Sequence, residues 1–106
     1  MRKLLLLIAL TCSVVLHAEI KLPSVFGDNM ILQQNSQAAI WGKAEPNTQI
    51  TISTTWSKAK VDVFSDANGD WKTQIKTPQA GGPYEISITD GKKLTLKNVM
   101  IGEVWI

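Results

Sequence analysis

From Glu19 onward, apolar residues recur at alternate positions in short runs, and the runs are separated by Gly, Pro, Asn and Asp. A period of two puts successive side chains on opposite faces of an extended backbone, whereas a helix needs apolar spacings of three and four. No helical period is present. The runs are MILQQ (30–34), AAIW (38–41), TQITIST (48–54), AKVDVF (59–64), WKTQIKT (71–77), YEISITD (84–90), KLTLK (93–97) and VMIGEVWI (99–106). Within them, Ile50 with Ile52, Val61 with Val63 and Ile86 with Ile88 mark one buried face per strand.

The punctuation agrees with this pattern. Asn68-Gly69 and Asp90-Gly91 suit tight hairpins, where the central positions need a positive φ that Gly accepts freely and Asn or Asp tolerates. Glu45-Pro46-Asn47 and Gly81-Gly82-Pro83 mark further connections, with Pro where no ladder donor is needed. Turns about ten residues apart predict an all-β fold, a small antiparallel β-sandwich of the immunoglobulin-like or jelly-roll type.

Residues 1–18 read differently. Basic Arg2 and Lys3 precede the apolar run LLLLIAL, and small Ala18 suits the position before a cleavage point, so 1–18 is expected to be a signal peptide cut after Ala18. The stretch from Leu4 to Leu16 is interrupted and too short for a membrane span, which needs about 20 mainly apolar residues. Cys12 opens a lipoprotein alternative, but Ala9, Leu10 and Thr11 lack the usual order of such a processing site. The expected location is therefore secreted or periplasmic, with no membrane attachment after cleavage.

Cleavage would remove the only Cys, the only His and both basic residues of the leader. The remaining 88 residues carry nine Lys against nine Asp plus Glu, a balance that argues against nucleic acid as a partner. They need no disulfide, and they suffice for one sandwich core but not for two.

Nucleophilic hydrolysis needs a hydroxyl or thiol with a base in reach and a third group to orient that base. Ser24, Ser36, Ser53, Ser57, Ser65 and Ser87 have no imidazole available, so none is assigned a catalytic role. The segment Asp66 to Asp70, DANGD, offers oxygen ligands at alternate positions, but a helix-flanked calcium loop needs Gly sixth and Glu twelfth. Here Gly69 is fourth and Thr77 twelfth, so a turn is the simpler reading. No catalytic residue, cofactor site or metal site is assigned.

Trp41, Trp56, Trp71 and Trp105, with Tyr84, form a dense aromatic set. Trp41 and Trp71 stand at strand ends and are expected to be buried; Trp56 lies in polar STTWSKAK and is expected to be exposed. The final run, VMIGEVWI, is an apolar strand with no blunting charge or Pro after it, an arrangement that finished edges avoid. It is therefore expected to open a further domain at 99–106, leaving 19–98 as the β domain.

Four segments in order, LPSVFGDNMILQQ (22–34), AAIWGKAEPNTQITI (38–52), ANGDWKTQIKTPQAGGPYEISI (67–88) and LTLKNVMIGEVWI (94–106), resemble the sialate O-acetylesterases and related secreted bacterial carbohydrate esterases. The resemblance implies a longer enzyme in which this domain precedes an α/β catalytic domain of the SGNH hydrolase type. GEVWI looks like the first strand of that domain, which in the family runs into a Gly-Gln-Ser-Asn block carrying the nucleophile. A Gly and an Asn further on complete the oxyanion hole, and a distant Asp and His complete the triad. All lie beyond Ile106, so the chain itself is non-catalytic, and its implied partner is the acetylated sugar that the full-length enzyme would cleave. The alternative is a free-standing carbohydrate-binding or adhesion module, with an exposed aromatic such as Trp56 docking a glycan.

Overall fold

A computed structural model describes residues 19–104. The expected leader with Cys12, and the terminal Trp105 and Ile106, lie outside the described residues. The strands are β1 Ile31–Gln33, β2 Gln37–Lys43, β3 Gln49–Thr54, β4 Ser57–Phe64, β5 Asp70–Lys76, β6 Gly81–Thr89 and β7 Lys93–Gly102. They form a five-stranded sheet in the order β1-β7-β6-β3-β4 and a two-stranded sheet, β2-β5. The expected all-β architecture is present. Among the described residues the one parallel pair is β1 with β7, Ile31 lying opposite Met100, because β1 enters from the segment that comes over from the small sheet. That segment starts at Lys21, which pairs with Lys43 of β2. Gly42 permits the approach, since a β-carbon there would stand 2.5 Å from the Lys21 carbonyl oxygen.

The alternation seen in the sequence supplies the core. Ile50, Ile52, Ile86 and Ile88 of the large sheet are fully buried and share one cluster with Ile40, Trp71 and Ile75 of the small one. Each such side chain contributes about 1.5–3 kcal/mol relative to exposure. Val61 and Val63 of edge strand β4 pack against the same cluster only in part.

Of the two expected hairpins, one forms. Asp90-Gly91 joins β6 to β7, with Thr89 opposite Lys93 and Gly91 at φ 120°. Asn68-Gly69 instead carries the chain from one sheet to the other, since β4 pairs with β3 and β5 with β2. The need for glycine is met differently there. Gly69 has φ 86°, and a β-carbon would come within 2.3 Å of the Ala44 carbonyl oxygen. Ala44 N–H in turn donates to the Gly69 carbonyl at 2.8 Å.

Toward the end of the described residues, KLTLK and the first four residues of VMIGEVWI lie on one strand: β7 runs Lys93–Gly102, with Val99 fully buried and Ile101 only 3% exposed. What broke the pattern is a β-bulge. Ile86 lies opposite Leu96 but Tyr84 lies opposite Val99, so β7 spends three residues where β6 spends two. The extra residue falls at Lys97–Asn98, and Asn98 takes φ 55°, which Asn tolerates better than most residues. Leu96 and Val99 therefore both face the core although they are three apart.

The bulge is held from outside by the segment before β1. Lys97 N–H donates to the Asp28 carboxylate at 2.8 Å, Asn29 N–H donates to the Lys97 carbonyl at 2.9 Å, and the Asn98 side-chain amide donates to the Asn29 side-chain oxygen at 2.6 Å. Beyond it, Met100 N–H donates to the Met30 carbonyl and Gln34 N–H to the Gly102 carbonyl, so the expected orphan strand is paired along both edges. Glu103 follows with its carboxylate accepting from the Gln33 and Gln34 side chains, which holds its pKa below the ordinary value.

Asn98→Val is expected to destabilise the domain by about 1–2 kcal/mol, because a β-branched residue resists the left-handed conformation. That corresponds to roughly 4–8 °C of melting temperature per kcal/mol in a domain of this size. Asn98→Gly, which keeps the backbone geometry and loses only the bond to Asn29, should cost less in the same thermal denaturation experiment.

Candidate functional site

Ser36, Ser57 and Ser65 make local hydrogen bonds. Ser65 is buried, and its hydroxyl donates to the Glu45 carbonyl while accepting from Thr48 N–H at 2.9 Å, tying the turn at 45–48 to the end of β4. Ser36 Oγ donates to the Gln33 carbonyl at 3.1 Å, and Ser57 Oγ accepts from Ala59 N–H. Ser53 and Ser87 face each other across β3 and β6. Thr77, met in the sequence as the twelfth position of the rejected calcium loop, plays the same part as Ser65. It is buried, its hydroxyl donates to the Gln33 carbonyl at 2.6 Å, and it accepts from Ser36 N–H at 2.9 Å.

The DANGD segment is a turn built on Asp66. One carboxylate oxygen accepts from Asn68 N–H at 2.8 Å and from Asp70 N–H at 2.9 Å. Among the described residues, no three His, Cys, Asp or Glu side chains converge as metal ligands.

The tryptophans fall out differently from expectation. Trp71 is 3% exposed, as its position after a turn predicts, and its indole N–H has no hydrogen-bond partner among the described residues. Trp41 is 41% exposed, not buried. Parity decides this: Ile40 fills the inner face of β2, so Trp41 must point outward from the small sheet. Trp56 is half-buried, not exposed. Its N–H donates to the Lys76 carbonyl at 3.0 Å, and its ring meets Tyr84 edge-on with centroids 5.3 Å apart. It thereby ties the β3–β4 turn of the large sheet to the end of β5 in the small one.

An open groove of about 550 Å³ lies beside Trp41. Its lining includes Trp41, Phe64, Asp66, Asp70, Trp71 and Lys72. Phe64, at the end of edge strand β4, is 64% exposed. Phe26 meets Trp41 edge-on at 4.8 Å between centroids and 77° between planes, which fixes the orientation of the exposed indole. Trp41 also lines a neighbouring cleft of about 310 Å³ with Leu22, Pro23 and Lys43.

Charge is arranged along the groove. Lys43 Nζ lies 2.8 Å from Asp70 Oδ1, and the hydrogen bond and charge of Asp70 hold the Lys43 pKa above its ordinary value. The pair is exposed and contributes little to stability. Asp66 is held below the ordinary carboxylate value, chiefly by the backbone N–H of Asp70 and then by that of Asn68.

Because the folded pKa of Asp66 is depressed, its contribution to stability is present above the unfolded value near pH 4 and is lost as pH falls through the lower folded value. Asp66→Asn, which keeps an acceptor oxygen but cannot titrate, should remove that part of the acid destabilisation. Melting temperatures of the two proteins measured down the acid range check this.

No family model and no curated protein matches the chain. Among solved structures, a carbohydrate acetylesterase from Xanthomonas citri superposes with a TM-score of 0.75 at 33% sequence identity, over 82% of this chain. The match spans 20% of that protein's length. The likeness extends beyond shared architecture to sequence, and it relates this β domain to a carbohydrate esterase.

Proposed function

We propose that this chain is the N-terminal portion of a secreted carbohydrate esterase of the sialate O-acetylesterase type, in which residues 19–104 act as a structural partner to a catalytic domain. The observation that carries this reading is the 33% identity to a carbohydrate acetylesterase at a TM-score of 0.75, with the match occupying only 20% of that longer chain. The four sequence segments that resemble the esterase family lie across the whole sandwich, from the Asp28–Asn29 latch to β7.

The chemistry would be supplied by a Ser beyond Ile106. Its oxygen attacks the acetyl carbonyl as the His takes its proton, the oxyanion is held by backbone and Asn N–H donors, and the sugar alkoxide leaves with that proton from the His. Water then releases acetate from the acyl-enzyme. In this reading the β domain contributes no reacting group. Export through the 1–18 leader would place the enzyme where acetylated glycans are met.

Extending the reading frame past codon 106 is expected to reveal a Gly-Gln-Ser-Asn block within a few residues. The protein so encoded should release acetate from O-acetylated sialic acid, and replacing that Ser with Ala should abolish release. Acetate release from acetylated xylan but not from the sialic acid would retain the esterase and discard the sialate preference. A stop codon at that point in uninterrupted genomic sequence would remove the esterase reading altogether.

A further inference from the structure

We propose that the groove beside Trp41 is a binding site for a neutral oligosaccharide, with the Trp41 indole as the platform on which a pyranose ring stacks. The proposal stands on the geometry of the described residues and does not depend on the esterase reading.

The C–H face of a pyranose is apolar and weakly positive, and it complements the negative face of an aromatic ring. Its equatorial hydroxyls need acceptors and donors at the ring's edge. The groove offers both kinds of surface together. Trp41 and Phe64 are the exposed aromatics among the described residues, and Asp66, Asp70 and Lys72 stand in the same lining. A volume of about 550 Å³ lies within the usual range for small-molecule sites.

Preorganisation adds to the case. Trp41 is held edge-on by Phe26, Asp66 is fixed by the Asn68 and Asp70 amides, and Asp70 is paired with Lys43. A ligand therefore meets a platform and polar groups that need little further ordering, which reduces the entropy cost of binding.

The charge balance selects a neutral sugar. Asp66 and Asp70 face the groove against a single lining ammonium, Lys72, while Lys43 is committed to Asp70. An anionic sugar would meet two carboxylates.

The test is titration of the whole chain with cellohexaose, xylohexaose and mannohexaose, followed by intrinsic tryptophan fluorescence and calorimetry, with sialyllactose as the anionic comparator. At least one neutral hexasaccharide should bind and perturb the fluorescence, and sialyllactose should bind more weakly. Trp41→Ala should weaken binding about tenfold or more, equivalent to roughly 1.4 kcal/mol. Phe64→Ala, at a more exposed position, should weaken it while leaving the melting temperature unchanged. Trp41→Tyr should restore part of the affinity, which loss of fold alone would not permit. The proposal is overturned if no neutral hexasaccharide binds at millimolar concentration. It is equally overturned if binding survives both alanine substitutions, if sialyllactose binds best, or if the chain sediments as a dimer that Trp41→Ala and Phe64→Ala dissociate.

Discussion

Where β7 spends one residue more than β6 can pair, the peptide of Lys97 loses its place in the ladder, and the segment before β1 takes it up. Asp28 accepts its N–H and Asn29 donates to its carbonyl, so a single pair of residues closes the bulge on both sides. The consequences run in both directions along the chain. Toward the C-terminus, the bulge resets the phase of β7 so that Val99 and Ile101 turn inward beside Leu96. Toward the N-terminus, it anchors the connection that began at Lys21 on the small sheet and delivers β1 parallel to β7.

Four of the six connections between strands cross from one sheet to the other, and a small number of side chains reach across as well. Trp56 bonds the Lys76 carbonyl at one end, and Thr77 and Ser65 hold loop carbonyls and amides where the sheets exchange strands. Between them lies the isoleucine cluster. The small sheet's outer face is left with Trp41, and edge strand β4 with Phe64, so the exposed aromatics gather beside the turn that Asp66 builds.

The alternation of Ile50 with Ile52 and of Ile86 with Ile88 made the core faces legible in the sequence, because burial on one face imposes a period of two. The tryptophans were less legible. Trp41 was assigned by its place at a strand end, although the parity set by Ile40 already pointed it outward; Trp56 was assigned by its polar neighbours, although its indole N–H and ring had partners far away in sequence. Asn68-Gly69 specified a turn but not which strands it joins, since a tight turn can close a hairpin or cross between sheets. The bulge at Asn98 was hidden for a different reason. A one-residue slip in alternation looks the same in sequence as the gap between two strands, and only the long-range partners Asp28 and Asn29 distinguish them.

The last described strand thus belongs to the sandwich through Gly102. The integrity of β7 is the claim on which this arrangement rests. Amide hydrogen exchange of the whole chain tests it most directly: the Lys97 and Met100 amides should exchange as slowly as that of Ile86 in the core of β6. Free exchange at Lys97 and Met100 while Ile86 stays protected would contradict the account.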